Sequence, residues 1–313
     1  MQGKGLNPGP EHICAVVVTF NRMVLLEECL TALSSQTRLL DEIIVIDNAS
    51  TDGTESLFRT RFVDATYKRL KENVGGSGGF YEGIKLAFSK GHDWIWIMDD
   101  DAIPMADALQ KLLDCPVRLR DGVYALASSV LNRDGTICLM HRRLFDAHKM
   151  AEAIVEASRY EQDYFQMDTA SFVGLLLSRQ TIEDIGLPLK EMFIYYDDTE
   201  YSLRIRRRGI MATVPASKIV HGEPKRSLQN SAGGQSPTGW RKYYVIRNSI
   251  YTYMKYGKPS IAFYMRLFRE LLNGIIGALR SGTDKSYSLK INLYGVFDGL
   301  RGKLGKNHNF LPS

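Results

Sequence analysis

Short apolar runs recur along the first hundred positions, and a polar cluster follows each of them. Residues 13–19 form a β-branched run that predicts a strand. Over residues 23–36, Leu25, Leu26, Cys29, Leu30 and Leu33 fall at helical spacing. Residues 42–46 read as a second strand, residues 48–53 as turn chemistry and residues 66–70 as a weaker strand. Residues 79–90 predict a helix, and Trp94-Ile95-Trp96-Ile97-Met98 a buried strand. This alternation predicts an α/β fold with a mostly parallel central sheet flanked by helices. Ligands of such sheets bind beyond the carboxyl ends of the strands. The polar clusters 19–22, 47–52, 73–79 and 99–101 all fall there.

The sharpest of these clusters is Asp99-Asp100-Asp101. Three carboxylates at the end of a buried strand repel one another and are costly to desolvate, unless a cation neutralises them. Alternation along an extended chain points Asp99 and Asp101 the same way and Asp100 the other. Two oxygen ligands on one face suit a hard divalent ion that also holds phosphates; a solvated acidic turn is the plainer alternative. In Asn73-Val74-Gly75-Gly76-Ser77-Gly78-Gly79, four glycines let backbone approach a ligand and aim N–H groups at an anion near a helix start. The stretch lacks the lysine of a P-loop and does not fit the dinucleotide fingerprint.

The second half repeats the theme. Residues 172–177 predict a buried strand in which Gly174 leaves room for a ligand or simply packs closely. Asp197 and Asp198 follow Tyr195-Tyr196 and open a helix that runs to Arg208 and ends at Gly209. Helix starts favour aspartate, which accounts for one of the pair but not readily for both. His221 follows strand signals at 211–214 and 217–220, whereas His12, His92, His141, His148 and His308 have no comparable context. Residues 223–239 are Gly-, Ser-, Gln- and Pro-rich, as a linker or a lid would be. A basic helical region, 240–313, completes the chain. There Ile261, Tyr264, Met265, Phe268, Leu271, Leu272, Ile275, Ile276 and Leu279 share one stripe, which fits a core-packing helix or an interfacial membrane helix.

Composition narrows the classes. With 313 residues, 44% apolar and 24% charged, the chain is globular rather than disordered. Cys14, Cys29, Cys115 and Cys138 include no C-x-x-C pair, so a zinc site or disulfide framework is not expected and a reducing cytoplasm is the simpler setting. Residues 1–12 read as a flexible tail without a signal-peptide pattern. The net charge of +5 divides into about +10 over 240–313 and about −5 over the rest. A basic segment on an acidic body points to an anionic partner, either an anionic membrane surface or nucleic acid.

Residues 16–22 (VVVTFNR), residues 45–53 (VIDNASTDG), the glycine stretch and Met98-Asp99-Asp100-Asp101, in that order, resemble the GT-A fold of family 2 glycosyltransferases. The glycine stretch followed by the triplet is most similar to the bacterial galactofuranosyl- and rhamnosyltransferase subgroup. The resemblance spans residues 13–222. It implies a Rossmann-like catalytic domain, a UDP-sugar donor, Mn²⁺ or Mg²⁺, and inversion at the anomeric carbon. Carried over, it implies that Thr19, Phe20 and Arg22 line the nucleotide base and that Asp47 and Asn48 hold the uracil or ribose. Asn73 and Gly76 would lie near the donor, and Asp100 would face the ribose or sugar. Asp99, Asp101 and His221 would bind the metal, Asp198 would be the general base and Asp197 would orient the acceptor. Tyr243-Tyr244 with Arg247-Asn248 also looks like this subgroup; Arg247 would meet the donor diphosphate or pair with the protein body.

The expected acceptor is a hydroxyl of a glycan or lipid-linked glycan of the cell envelope, and no nucleic acid. The expected place is the cytoplasmic face of the inner membrane, with room for a homo-oligomer. One or a few sugars would be added. UDP-galactofuranose is the first choice of donor and dTDP-rhamnose the second. A nucleotidyltransferase and a non-catalytic sugar- or nucleic-acid-binding module are the rival readings.

Overall fold

The computed structural model describes residues 11–222, 239–280 and 285–311, without the side chains of 277–280 and 285. The expected tail at 1–10, the expected lid or linker at 223–238 and the Leu279 end of the stripe lie outside what is described.

The chain begins β1 (Ile13–Thr19), α1 (Met23–Ser34), β2 (Glu42–Asp47), α2 (Thr54–Arg61), β3 (Thr66–Arg69), α3 (Gly75–Ser89) and β4 (Trp94–Asp99). Next come β5 (Ala102–Pro104), α4 (Ala108–Asp114), β6 (Val123–Leu131), β7 (Arg142–Asp146), β8 (Ala151–Ile154), β9 (Phe165–Met167) and β10 (Thr169–Ala170). Then β11 (Leu175–Ser178), α5 (Arg179–Ile185), α6 (Asp197–Arg206) and β12 (Ile210–His221) lead to α7 (Trp240–Tyr256), α8 (Ile261–Arg280) and α9 (Lys285–Leu300).

The main sheet runs β3-β2-β1-β4-β11-β6-β12-β5, with β9 also paired to β12. Its first four strands are parallel, β11 runs antiparallel between β4 and β6, and β12 is parallel to β6. Alternation along β1 sends Ile13, Ala15 and Val17 to one core layer and Cys14, Val16 and Val18 to the other. Both faces are covered, which is why these strands read as continuous apolar runs. Register then fixes the edge: Thr19 lies beside Asp47, and Val18 beside Asp99. At the far side His221 pairs with Ala102, so the end of β12 returns to the aspartate triplet.

Three expectations change. The glycine stretch is not a loop before a helix; it forms the first turns of α3. A Cβ on Gly79 or Gly83 would lie 2.4 Å from Val18 or Val16, so missing side chains let the helix settle directly on β1. The strand expected at 172–177 begins only at Leu175, because Gly174 takes φ +70° and its missing Cβ makes room for Ile219. The expected stripe of α8 is not its packing face: Ile261, Tyr264, Met265, Phe268, Leu272 and Ile275 face outward, between 41% and 81% exposed, while Phe263 and Leu267, outside the stripe, join the core cluster shared with α7 and α9.

Candidate active site

At the carboxyl edge of the sheet lies a cavity of about 640 Å³. One of its walls consists of strand ends, and each reaches it by register. Thr19 Oγ1 donates to Asp100 Oδ2 at 2.7 Å, drawing Asp100 away from its neighbours. Arg22 Nη1 lies 3.0 Å from Asp101 Oδ2 and 3.5 Å from Asp100 Oδ1. Asp99, Asp101 and His221 present ligand atoms that all lie within 4.8 Å of one another. His221 Nε2 is 3.0 Å from Asp101 Oδ1. Asp99 and Asp101 converge and Asp100 turns aside, but not by strand alternation: β4 ends at Asp99, and Asp100 and Asp101 form the turn that leads into β5.

The electrostatics are those of a site short of positive charge. Burial, then the Asp101 charge, pushes the Asp99 carboxyl up to about 8, against the pull of His221. Burial pushes Asp100 up to about 6, against Arg22 and the Thr19 hydroxyl. Burial acts the same way on Asp101, but its bond to His221 and the charges of His221 and Arg22 hold it below the usual carboxylate range. Burial would lower His221, yet Asp101 and Asp99 raise it. Two converging carboxylates and one imidazole fit a divalent cation, with the nitrogen tilting preference from Mg²⁺ toward Mn²⁺.

Asn48 closes the next corner. Its Nδ2 donates to Gly75 O at 3.1 Å, and Gly75 N donates to Asn73 Oδ1 at 2.8 Å. Phe20, Asn48, Asn73 and Gly76 line the cavity. Asp47 does not line it: the residue is fully buried, accepting from Ser50 N at 2.8 Å and Tyr67 Oη at 2.5 Å, and so supports the turn from below. Arg22 lines the cavity while its guanidinium reaches Asp100 and Asp101.

The opposite wall is built differently. Asp197 and Asp198 begin α6, after a loop in which Phe193, Tyr195 and Tyr196 all have φ between +64° and +67°. Phe193 (φ +67°, ψ −59°) centres a γ-turn closed by Ile194 N to Met192 O at 2.9 Å. Left-handed backbone at such side chains costs on the order of 1 kcal/mol or more each, so neighbours must hold it. Gly75 is one: its φ is +78°, and a Cβ there would lie 2.0 Å from Phe193 O, which also accepts from Ser77 N at 3.2 Å. Burial, then the Asp198 charge, pushes Asp197 up to about 7, while the Ser77 hydroxyl opposes. Burial likewise raises Asp198, and Arg143 opposes it. Arg143 in turn pairs with buried Glu152 at 2.9 Å.

Ser171, Phe172, Tyr195, Trp240 and Arg241 also line the cavity. Only Tyr195 and the start of α7 had any signal in the sequence. His141 gave none, yet its ring lies 4.9 Å from that of His221, edge-on, with Nδ1 2.7 Å from Ser171 Oγ. Burial, then the His221 charge, keeps it neutral, well below the usual range. Arg247 is fully buried and bonds backbone carbonyls, which decides for the protein body over the diphosphate.

Residues 14–166 match the family described as Glycosyl transferase family 2. The chain is 30% identical over 251 residues to "Galactofuranosyltransferase GlfT1" of Mycolicibacterium smegmatis, covering 77% of this chain and 82% of that one. The chain belongs to glycosyl transferase family 2. It is therefore a sugar-nucleotide-dependent glycosyltransferase. This family 2 chain is also 24% identical over 307 residues to "dTDP-rhamnosyl transferase RfbF" of Shigella flexneri, covering 94% of this chain and 97% of that one. Its fold is shared with the crystal structure of GalNAc-T7 with UDP, GalNAc and Mn²⁺, at a TM-score of 0.57 and 12% identity, over 93% of this chain and 56% of that one. Among the described residues no helix is long and apolar enough to cross a membrane.

Proposed function

We propose that this glycosyltransferase moves galactofuranose from UDP-galactofuranose, with inversion, onto a hydroxyl of a lipid-linked glycan acceptor. One observation carries the reading: the Asp99/Asp101/His221 cluster and the Asp197/Asp198 pair face a single cavity, in a chain 30% identical to a galactofuranosyltransferase over 82% of its length. Residues 13–222 with α7 would form the catalytic unit. Phe20, Asn48, Asn73 and Gly76 would receive the nucleotide, with Asp47 acting through the turn it supports. Arg22, held by Asp100 and Asp101, would lie near the ribose and phosphates. Asp99, Asp101 and His221 would hold Mn²⁺ or Mg²⁺. The bound ion would offset charge developing on the leaving diphosphate.

The chain's own groups would do the rest. The Asp198 carboxylate takes the proton of the acceptor hydroxyl as that oxygen bonds to the anomeric carbon. The bond from this carbon to the diphosphate oxygen breaks on the opposite face, and its electron pair leaves with the nucleotide. Such a base contributes about 10²–10⁴-fold. Asp197, Trp240 and Tyr195 would orient the acceptor. Burial raises Asp198, which strengthens it as a proton acceptor, and the Arg143 charge opposes that rise by favouring the carboxylate.

The outward face of α8 supports a place on an anionic membrane at the cytoplasmic face. Ile261, Met265 and Phe268 are 81%, 66% and 68% exposed on a segment with a strong basic balance. Apolar insertion plus basic charge is how interfacial helices bind.

The test is a panel of radiolabelled sugar nucleotides with Mn²⁺, Mg²⁺ or chelator, followed by product analysis. Transfer from UDP-galactofuranose that chelator abolishes is the expected result. Transfer from dTDP-rhamnose alone would install the second reading, which the near full-length match to the rhamnosyltransferase favours. Transfer undiminished by chelator would remove the metal from the reading.

A further inference from the structure

The loop that presents Asp197 and Asp198 does not hold its own shape. Within four residues it combines a γ-turn at Phe193 with left-handed Tyr195 and Tyr196. Phe193 O is taken by Ser77 N of α3 and Tyr196 O by Glu200 N of α6, while the carbonyls of Met192, Ile194 and Tyr195 point toward α7. Asn248 meets them there. Its Nδ2 lies 2.9 Å from Met192 O, 2.9 Å from Ile194 O and 2.8 Å from Tyr195 O. Arg247 Nε donates to Asn248 Oδ1 at 2.8 Å, which fixes the amide with its donors toward the loop. Arg247 Nη2 reaches Met192 O at 2.9 Å, and Nη1 reaches Gly305 O at 2.5 Å. Gly305 N returns a bond to Glu191 O at 2.7 Å. Both side chains are fully buried, and the guanidinium lies 4.8 Å from the Tyr244 ring centroid.

Nothing else about α7 requires such residues. A helix packing on a core would bury apolar side chains at these positions, and desolvating a guanidinium and an amide costs free energy unless their bonds are made. Here Asn248 Nδ2 and Arg247 Nη2 face carbonyls of one loop, Arg247 Nη1 ties the same helix to Gly305 O, and that loop ends at the two carboxylates.

We propose that Arg247 and Asn248 are positioning residues for transfer. They clamp the strained 192–196 backbone so that the carboxyl of Asp198 faces the acceptor hydroxyl. The proposal rests on the reading of Asp198 as the base. It makes turnover depend on two side chains whose bonds go to Met192, Ile194, Tyr195 and Gly305 rather than to the strand ends or the metal cluster. Donor binding belongs to the strand ends and should be nearly indifferent to the clamp.

The experiment uses the full chain and four variants: Asn248→Asp, which turns the amide donors into acceptors facing three carbonyls; Asn248→Ala; Arg247→Lys; and Asp198→Asn as reference. Calorimetry with UDP and Mn²⁺ gives affinity and the number of competent sites, so turnover is counted per competent site. Hydrogen exchange read by mass spectrometry follows the peptide covering 192–198. The expected result is a fall in kcat of about thirtyfold for Asn248→Asp and about tenfold for Asn248→Ala, with UDP affinity and donor KM within about twofold. Arg247→Lys should fall less, because an ammonium supplies some of the same bonds. Exchange over 192–198 should quicken while the 75–89 helix keeps its protection. Turnover per site within about twofold of wild type in both Asn248 variants, or unchanged exchange in the loop, would overturn the clamp. So would a loss that vanishes once competent sites are counted. If Asp198→Asn alone kept its activity, the base reading would fail and the clamp would stand as a device acting through Asp197.

Discussion

The two walls of the cavity solve one problem by opposite means. On the proposed donor side, Thr19, Asp47 and Asp99 arrive at the edge because parallel strands in register end together. Little is needed beyond the sheet itself. On the proposed acceptor side, Asp197 and Asp198 stand on a loop with three left-handed aromatic residues, held by Gly75, Ser77, Arg247 and Asn248 from distant parts of the chain. The first wall is cheap and repeated in many sheets. The second is particular to this loop and to the segments packed on it.

The largest effect should come from the donor wall. Asp99→Ala or Asp101→Ala should lower transfer by about 10³-fold or more and weaken UDP binding in Mn²⁺, because the diphosphate would lose its bridging charge. For Asp99→Ala the melting midpoint without metal should stay level or rise, since a carboxyl that burial and Asp101 disfavour is gone, whereas Asp101→Ala should lower it by removing the partner of Arg22 and His221. Activity near wild type in either variant would break the comparison at its root.

Asp198→Asn should separate the walls. Turnover should fall by about 10²-fold with UDP affinity nearly unchanged. Asp197→Asn should act more on acceptor KM. A larger turnover loss at Asp197 would exchange the two roles.

Gly75→Ala attacks the point where the walls meet. Its Cβ would stand 2.0 Å from Phe193 O at φ +78°, so both UDP affinity and turnover should suffer, and stability should drop by about 2 kcal/mol or more. Loss of turnover alone would assign the contact to the acceptor wall only.

A subtler effect is the response to pH without ligands. Asp197, raised to about 7 from 3.8 by burial first and Asp198 second, is protonated in the fold where the unfolded chain is ionised. Its contribution is fully present at low pH and is lost as pH rises through about 7. Urea unfolding at about pH 5 and about pH 8 should show this fall, and Asp197→Asn should flatten it by about 1 kcal/mol or more. Equal slopes in both proteins would count against a buried, proton-holding pair.

The smallest effect on chemistry should come from α8. Met265→Ser with Phe268→Ser should abolish flotation with anionic vesicles while leaving transfer to a soluble acceptor within about twofold. These apolar residues are a better probe than Arg266, which is half-buried with its guanidinium 5.0 Å from the Tyr253 ring centroid. Flotation of the double variant equal to wild type would return that face to packing against another protein surface.

What the sequence determined by itself is the donor wall. Apolar runs of strand length, each closed by polar residues, define strands whose ends carry the polar clusters, while the turn at Asp100 and Asp101, not strand alternation, brings Asp99 and Asp101 together. The pair at 197 and 198 was legible as a pair, because two carboxylates at a helix start exceed what capping needs. Their conformation was not: aromatic residues carry no signal for positive φ, which only tertiary contacts can impose. The structure also decided that Arg247 serves the loop, that Asp47 works from beneath its turn, that His141 stands against His221, and that α8 is apolar on two faces. Each of these depends on which distant segment lies opposite. Local patterns of hydrophobicity encode the period of an element, while the partners of a buried polar group are set by contacts 50 or more residues away, as Asn248 and Met192 are.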